Sequence, residues 1–378
     1  MTVTSPGQPQ IPLSDELGVY IKNKFSSTHP ESLSVDEPSI KSWKTYDTTN
    51  AFELLTQCYP QLGFPIEEGI NKTQPYIDAV LKGKTQHLHG KSDLGLTQPG
   101  AIKIELYKSM AGLVPVFIIS DNQDFEKITQ CLLHKNNPAP VPQSMGAFLA
   151  NGLVNWDRLH ALEKNWLPAH SAETWSQEFS KNVLPVPALY KDRVIVLSRK
   201  PYSHVFAEAL TLTEDDWLTH SLVIRLEHEC THLYTLKRFG CAANNLHDEL
   251  IADYIGISKA LGNYSKEWML AFMGLEAYPN YRKGARLENY VGHATLGSED
   301  FRSLTVIVKL AIETIARFDA ELGVIDSETD QRCRVDALCT TDLLQIASAD
   351  GSNVLRQRYN ELYSRALTVD SFEFGSLA

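Results

Sequence analysis

What is missing from the 378-residue chain narrows its class before any motif is read. A basic surplus is absent: 35 Lys and Arg face 46 Asp and Glu, for a net charge of -11. A surface that acidic repels phosphate backbones, and no local basic cluster offsets it, so a nucleic-acid partner is not expected. No apolar run approaches the roughly 20 residues that a membrane span needs, which excludes a helical membrane protein. The six cysteines (Cys58, Cys131, Cys230, Cys241, Cys333, Cys339) show no C-x-x-C spacing. That excludes a zinc ribbon and a thioredoxin-like pair. Met1 to Gln10 is polar, without the basic start and apolar stretch of a secretory leader. The expectation is therefore free thiols in a reducing, cytoplasmic setting. A repeat of fixed period is also lacking. What is present is 43% apolar and 21% charged residues, the ordinary usage of a globular chain with a large core.

Periodicity separates a mixed first part from a helical remainder. Helices are expected near 15–24, over 50–58 and over 66–81. The clearest strand pattern is Ile102 to Tyr107, which alternates with period two, followed by the apolar run Val114 to Ile119 after Gly112. Pro115 argues for an edge position or a strand start, because proline offers no ladder donor. Asp121 caps an expected helix through Leu133. Three prolines within 136–143 read as a linker or boundary. Beyond it, helices are expected over 143–153, 156–166, 172–182, 214–238, 246–261, 265–276, 300–322, 330–347 and 352–367, with one strand at 193–197. The fold class is thus α+β and predominantly helical, with a mixed α/β region over 1–140 of unassigned role and a helical region over 141–378.

One constellation carries chemistry. His228-Glu229-Cys230-Thr231-His232 is H-E-x-x-H. On a helix, positions i and i+4 share a face, so both imidazoles can meet one metal ion while Glu229 reaches a water beside it. Thr213 and Asp216 form a capping pattern at the start of that helix, Leu218, Leu222, Leu226, Leu233 and Leu236 supply an apolar stripe, and Gly240 is a plausible stop. On the next expected helix Glu249 and Asp253 are again four apart, among Leu250, Ile251, Ala252 and Ile255. Carboxylates on a buried helix need cationic or metal partners. Two histidines and Glu249 make a three-ligand zinc site with an open fourth position. Asp253 then accepts the proton on the far nitrogen of a ligand histidine.

The pair of motifs resembles the gluzincins, the zinc metallopeptidase clan of thermolysin-like and neprilysin-like enzymes, whose signature is H-E-x-x-H followed by E-x-x-x-D. The resemblance covers residues 210–256 only. It implies a zincin-like helical core, Zn2+ held by His228, His232 and Glu249, Glu229 as general base, and a peptide or amide substrate. Two departures stand out. Arg225 occupies a position where these peptidases tend to have Val or Thr, and the 16 residues between His232 and Glu249 make a shorter connection than in thermolysin-like enzymes. Asp248, Asp253 and His247 therefore stay open as alternatives for the third ligand.

Zincins also place a Tyr, His or Arg against the substrate carbonyl. The segment 278–293 offers Tyr281, Arg286, Tyr290 and His293, with Tyr290 and His293 taken as the candidate catalytic pair. The His87/His89 pair has no third ligand nearby and reads as an exposed loop. Tyr202 and His204 follow the 193–197 strand, which is in the right place to be a substrate-binding edge strand. Two other classes compete with a zinc hydrolase. One is a non-haem iron enzyme using the same His-His-carboxylate set, for which Asp157-x-x-His160 is a weak stand-in for a second iron motif. The other is a binding protein that keeps the fold without turnover, which the intact Glu229 argues against.

Overall fold

A computed structural model describes residues 11–25, 36–85, 94–167, 172–243, 245–291 and 296–375. His87, His89 and His293 lie outside them. The chain divides into two compact units, one formed by residues 33–200 and the other by residues 1–32 together with 201–378. The fold is α+β and predominantly helical, with one small mixed sheet.

The 33–200 unit holds the sheet. Its strands are β1 (Lys103–Ser109), β2 (Gly112–Ile119), β3 (Ala147–Val154) and β4 (Lys191–Ser198), in the order β1-β2-β4-β3. β1 and β3 pair antiparallel with their neighbours, while β2 and β4 run parallel. Helices α1 (Ala51–Cys58) and α2 (Asn122–His134) contribute Leu55, Phe125 and Ile128 to a core closed by Phe117, Val194 and Val196. Asp121 caps α2 as expected, its side chain accepting from the backbone N–H groups of Gln123 and Asp124.

Three expectations are corrected here. The helix expected over 143–153 is strand β3: Phe148 and Ala150 are buried on alternate positions, and the bulge at Gly152, with φ +96°, disguises the period. Most of the 193–197 segment is not an edge, because Ile195 to Leu197 pair with β2 on one side and β3 on the other, and only Arg193 and Val194 lack a β2 partner. Pro115 sits inside a central strand without penalty, since β4 joins β2 only from Val116 onward. The proline-rich stretch at 136–143 joins α2 to β3 within this unit. The Asn136 side chain ties it down by donating to the carbonyls of Gln61 and Phe64 at 2.9 and 3.0 Å. The mixed part accordingly runs to residue 200.

The other unit is helical: α3 (Glu214–Phe239), α4 (Leu246–Leu261), α5 (Lys266–Met273), α6 (Leu287–Val291), α7 (Ser298–Leu322), α8 (Glu328–Cys339) and α9 (Gly351–Gly375). Thr213 caps α3 through the Asp216 N–H, and Gly240 ends it in the left-handed conformation. Asn245 caps α4 in the same manner, and Gly262 stops it. The two helices pack closely because Gly256 lies over Ile224: a Cβ at Gly256 would come within 2.8 Å of the Ile224 carbonyl oxygen. Among the described residues no helix is long and apolar enough to cross a membrane. None of the six cysteines forms a disulfide.

Candidate metal centre

Helix α3 buries an unexpected face. Leu218, Leu222, Leu226 and Leu236 stay half-buried, whereas Trp217, Ser221, Ile224, His228, Thr231, His232 and Thr235 are buried. The interval still fits a 3.6-residue turn, but the buried stripe is largely polar. Trp217 anchors the first turns by donating its indole N–H to the Val205 carbonyl at 2.8 Å. α4 lies against this stripe and is buried from Leu246 through Ser258, acidic residues included.

The two helices bring His228, His232 and Glu249 together, with one donor atom from each within 4.8 Å of the others, all three residues buried. The Nε2 atoms of His228 and His232 are 3.0 Å apart. Glu249 Oε2 is 3.4 Å from His228 Nε2, and Oε1 is 3.6 Å from His232 Nε2. A carboxylate stands behind each far nitrogen. His228 Nδ1 lies 2.8 Å from Asp253 Oδ1, and His232 Nδ1 lies 3.1 Å from Asp248 Oδ2. The His228 Nδ1 proton is thereby directed at Asp253, while both Nε2 atoms face Glu249 and each other, as lone pairs toward a metal or, when protonated, as donors to Glu249.

Three such groups facing one point can share a proton or hold a metal ion. Around a tetrahedral ion with bonds of about 2.0–2.2 Å, donor atoms stand roughly 3.3–3.5 Å apart, close to the 3.0 Å between the two Nε2 atoms and the 3.6 Å from His232 Nε2 to Glu249 Oε1. Charge agrees with distance. Glu249, Asp248 and Asp253 outnumber the guanidinium of Arg286, and the two protons of the imidazoles, or a divalent ion in their place, balance the difference. The residues present therefore fit a divalent metal held by His228, His232 and Glu249, with Asp253 and Asp248 each behind a histidine.

Electrostatics follow from this crowding. Burial, the largest influence on His228, opposes its protonation, and so does His232. The Asp253 and Glu249 carboxylates outweigh both and raise its pKa above 6.5. Burial likewise opposes a charged His232, but Asp248 and Glu249 raise it well above 6.5. Burial pushes Glu249 up, yet hydrogen bonding from the two histidines holds it well below the usual carboxylate range. Glu229, beside the ligands and 8% exposed, is raised by burial, with the histidines only partly offsetting it.

Arg286 ties the centre together. Its Nη2 donates to Glu249 Oε2 at 2.6 Å, and its Nη1 to Asp253 Oδ2 at 2.7 Å, to the Tyr202 hydroxyl at 2.9 Å and to Ser203 Oγ at 3.1 Å. Its Nε donates to the Tyr290 hydroxyl, which itself donates to Glu249 Oε2 at 2.8 Å. The Tyr202 hydroxyl donates to Asp253 Oδ1 at 2.5 Å. Arg225, the departure from the peptidase pattern, is buried over the Tyr202 ring, 5.5 Å from its centroid, and donates to the Pro201 carbonyl at 2.7 Å. Burial holds the phenols of Tyr202 and Tyr290 neutral, their pKa values raised well above 10. Tyr20, from the N-terminal segment, donates to the Tyr290 carbonyl at 3.2 Å.

Of the alternative ligands, His247 turns away, with Nε2 3.1 Å from the Leu338 carbonyl. Asp253 is engaged by His228, Tyr202 and Arg286. Tyr281 bonds the Ala285 carbonyl, outside the cluster. His160 lies in the other unit, against the Gly83 carbonyl. Two participants were not legible as such in the sequence: Asp248 as the partner of His232, and Tyr202 as a buried member of the network.

A family model matches residues 8–350, nine-tenths of the chain. The chain belongs to the DUF7005 family, a family of unknown function. The match spans every residue of the metal cluster. Comparison with curated proteins and with solved structures returned no match.

Proposed function

We propose that this DUF7005 protein is a metal-dependent hydrolase of peptide or amide bonds, with a zincin-like helical core and Zn2+ as its metal. The observation that carries the reading is the convergence of His228, His232 and Glu249 with Glu229 one residue along the same helix. A bound zinc ion would supply Lewis acidity, lowering the pKa of a water and polarising a carbonyl. Glu229 takes the proton from the attacking water and delivers it to the leaving amine. Its buried position supports that task, because desolvation raises its proton affinity toward the working range. Asp253, hydrogen-bonded to His228, keeps that ligand in one tautomer and one orientation, and the Asp248 carboxylate stands behind His232. Tyr290, with its hydroxyl on Glu249, holds that ligand in place.

The test separates binding from turnover. Glu229→Gln should retain metal and lose about 10²–10⁴-fold in hydrolysis of a peptide or amide substrate found by library screening. Full activity in that variant would overturn the hydrolase mechanism. The same two-histidine, one-carboxylate set also suits iron(II) and oxygen chemistry. Iron in the purified protein, with no hydrolysis, would favour that reading over this one.

A further inference from the structure

The carboxylate of Glu249 is not free to bind as it pleases. A carboxylate has two oxygens with about two lone-pair sites each. On Glu249, Oε2 already accepts from Arg286 Nη2 at 2.6 Å and from the Tyr290 hydroxyl at 2.8 Å. Both its sites are taken. Oε1 has neither of these donors and lies on the His232 side, 3.6 Å from Nε2. The same guanidinium reaches Asp253 Oδ2 at 2.7 Å through Nη1. One rigid fork therefore spans both carboxylates of the Glu249-x-x-x-Asp253 pair, one a metal ligand and the other the partner of His228.

Resting on the metal-centre reading above, we propose that Arg286 is a positioning residue that commits Glu249 to one-oxygen ligation and thereby sets the metal preference. Two consequences follow. With Oε2 withheld, the protein offers two nitrogens and one oxygen, a low coordination number that suits zinc or cobalt. Manganese, magnesium and calcium favour more oxygen ligands and a chelating carboxylate. The fixed positive charge beside Glu249 also weakens it as a purely electrostatic ligand. That disadvantage falls hardest on the oxygen-seeking ions.

The experiment uses the full-length protein stripped with a chelator and titrated with Zn2+, Mn2+ and Co2+ in the wild type and in Arg286→Met, Arg286→Lys and Tyr290→Phe. Wild type should bind zinc far more tightly than manganese and give the intense visible absorption of four-coordinate Co2+. Arg286→Met should lower the ratio of zinc to manganese affinity by about 10–100-fold and weaken the Co2+ bands as Glu249 becomes chelating. Arg286→Lys, which keeps the charge but cannot bridge two carboxylates, should fall between. Tyr290→Phe frees one site on Oε2 and should move the ratio in the same direction by a smaller factor, which keeps the test open if Arg286→Met fails to fold. An unchanged ratio and an unchanged Co2+ spectrum in the folded variants would overturn the proposal while leaving the metal centre standing. Wild type that binds none of the three ions would overturn the metal-centre reading, and this proposal with it.

Discussion

Two buried polar clusters share helix α4, and they differ in how their acceptors are met. Tyr254 belongs to the first. There Arg334 donates to Asp330 through Nε and Nη2, at 2.9 Å each, and to Asp319 at 3.1 Å through Nη1. Tyr359 and Tyr254 complete it with hydroxyl donors to Asp330 and Asp319, both at 2.8 Å. Donors face acceptors throughout, and the cluster fastens α4, α7, α8 and α9 together. Asp253, one residue earlier on the helix, belongs to the second cluster. In that one two imidazole nitrogens and a carboxylate face one another. A closed network serves stability; two imidazoles and a carboxylate aimed at one point can exchange protons for a metal ion.

That contrast can be broken from either side, and the largest effect is expected at the open cluster. His228→Ala and His232→Ala should each abolish stoichiometric metal binding, read by metal analysis after dialysis, since two remaining ligands hold zinc poorly. A variant that keeps one metal per chain would contradict the assignment. Next in size, Arg334→Met should cost about 3–5 kcal/mol in denaturant unfolding by leaving Asp330 and Asp319 buried without their cation, with metal affinity unchanged. If it instead released the metal, the two clusters would not be independent. Smaller effects are expected behind the histidines: Asp253→Asn and Asp248→Asn should each weaken zinc by about 10–100-fold in chelator competition. Equal losses would place Asp248 beside Asp253 as an orienter of equal weight.

The pH response sharpens the same distinction. In the metal-free protein the raised pKa values of His228 and His232 mean that the fold prefers the protonated imidazoles. Their stabilisation is fully present below the unfolded value of 6.5 and is lost as pH rises through the higher folded values. Metal binding requires neutral imidazoles, so the loaded protein should gain as pH rises over that window. Thermal unfolding from pH 6 to 9 should thus show apo and zinc-loaded curves moving apart. Parallel curves would mean that metal and protons do not compete for these nitrogens.

The sequence disclosed the centre more clearly than the fold around it. His228, Glu229, His232, Glu249 and Asp253 could be read because helical spacing alone puts residues four apart on one face. β3 could not, because Gly152 and its bulge interrupt the alternation that marks a strand. The pairing of β4 on both edges depends on a parallel partner about 80 residues earlier, which no local pattern encodes. The buried stripe of α3 was hidden for a different reason: its histidines face carboxylates of α4, Thr231 and Thr235 bond carbonyls of α3 itself, and hydrophobic periodicity looks past such residues. Arg286 and Tyr290 are four apart, a spacing that could have paired them. Tyr202 carried no such signal, because its partners come from α3, α4 and the segment before α6.

The most direct test of the central claim is metal stoichiometry in the purified full-length protein, stripped and then reconstituted with zinc, alongside its thermal unfolding. The expected result is about one zinc per chain and a stability gain of about 2.7 kcal/mol when free zinc stands near 100 times the dissociation constant. Both should be lost in His228→Ala. No stoichiometric metal and no stabilisation by zinc in the wild-type protein would contradict the account, and the three converging acceptors would then need another explanation.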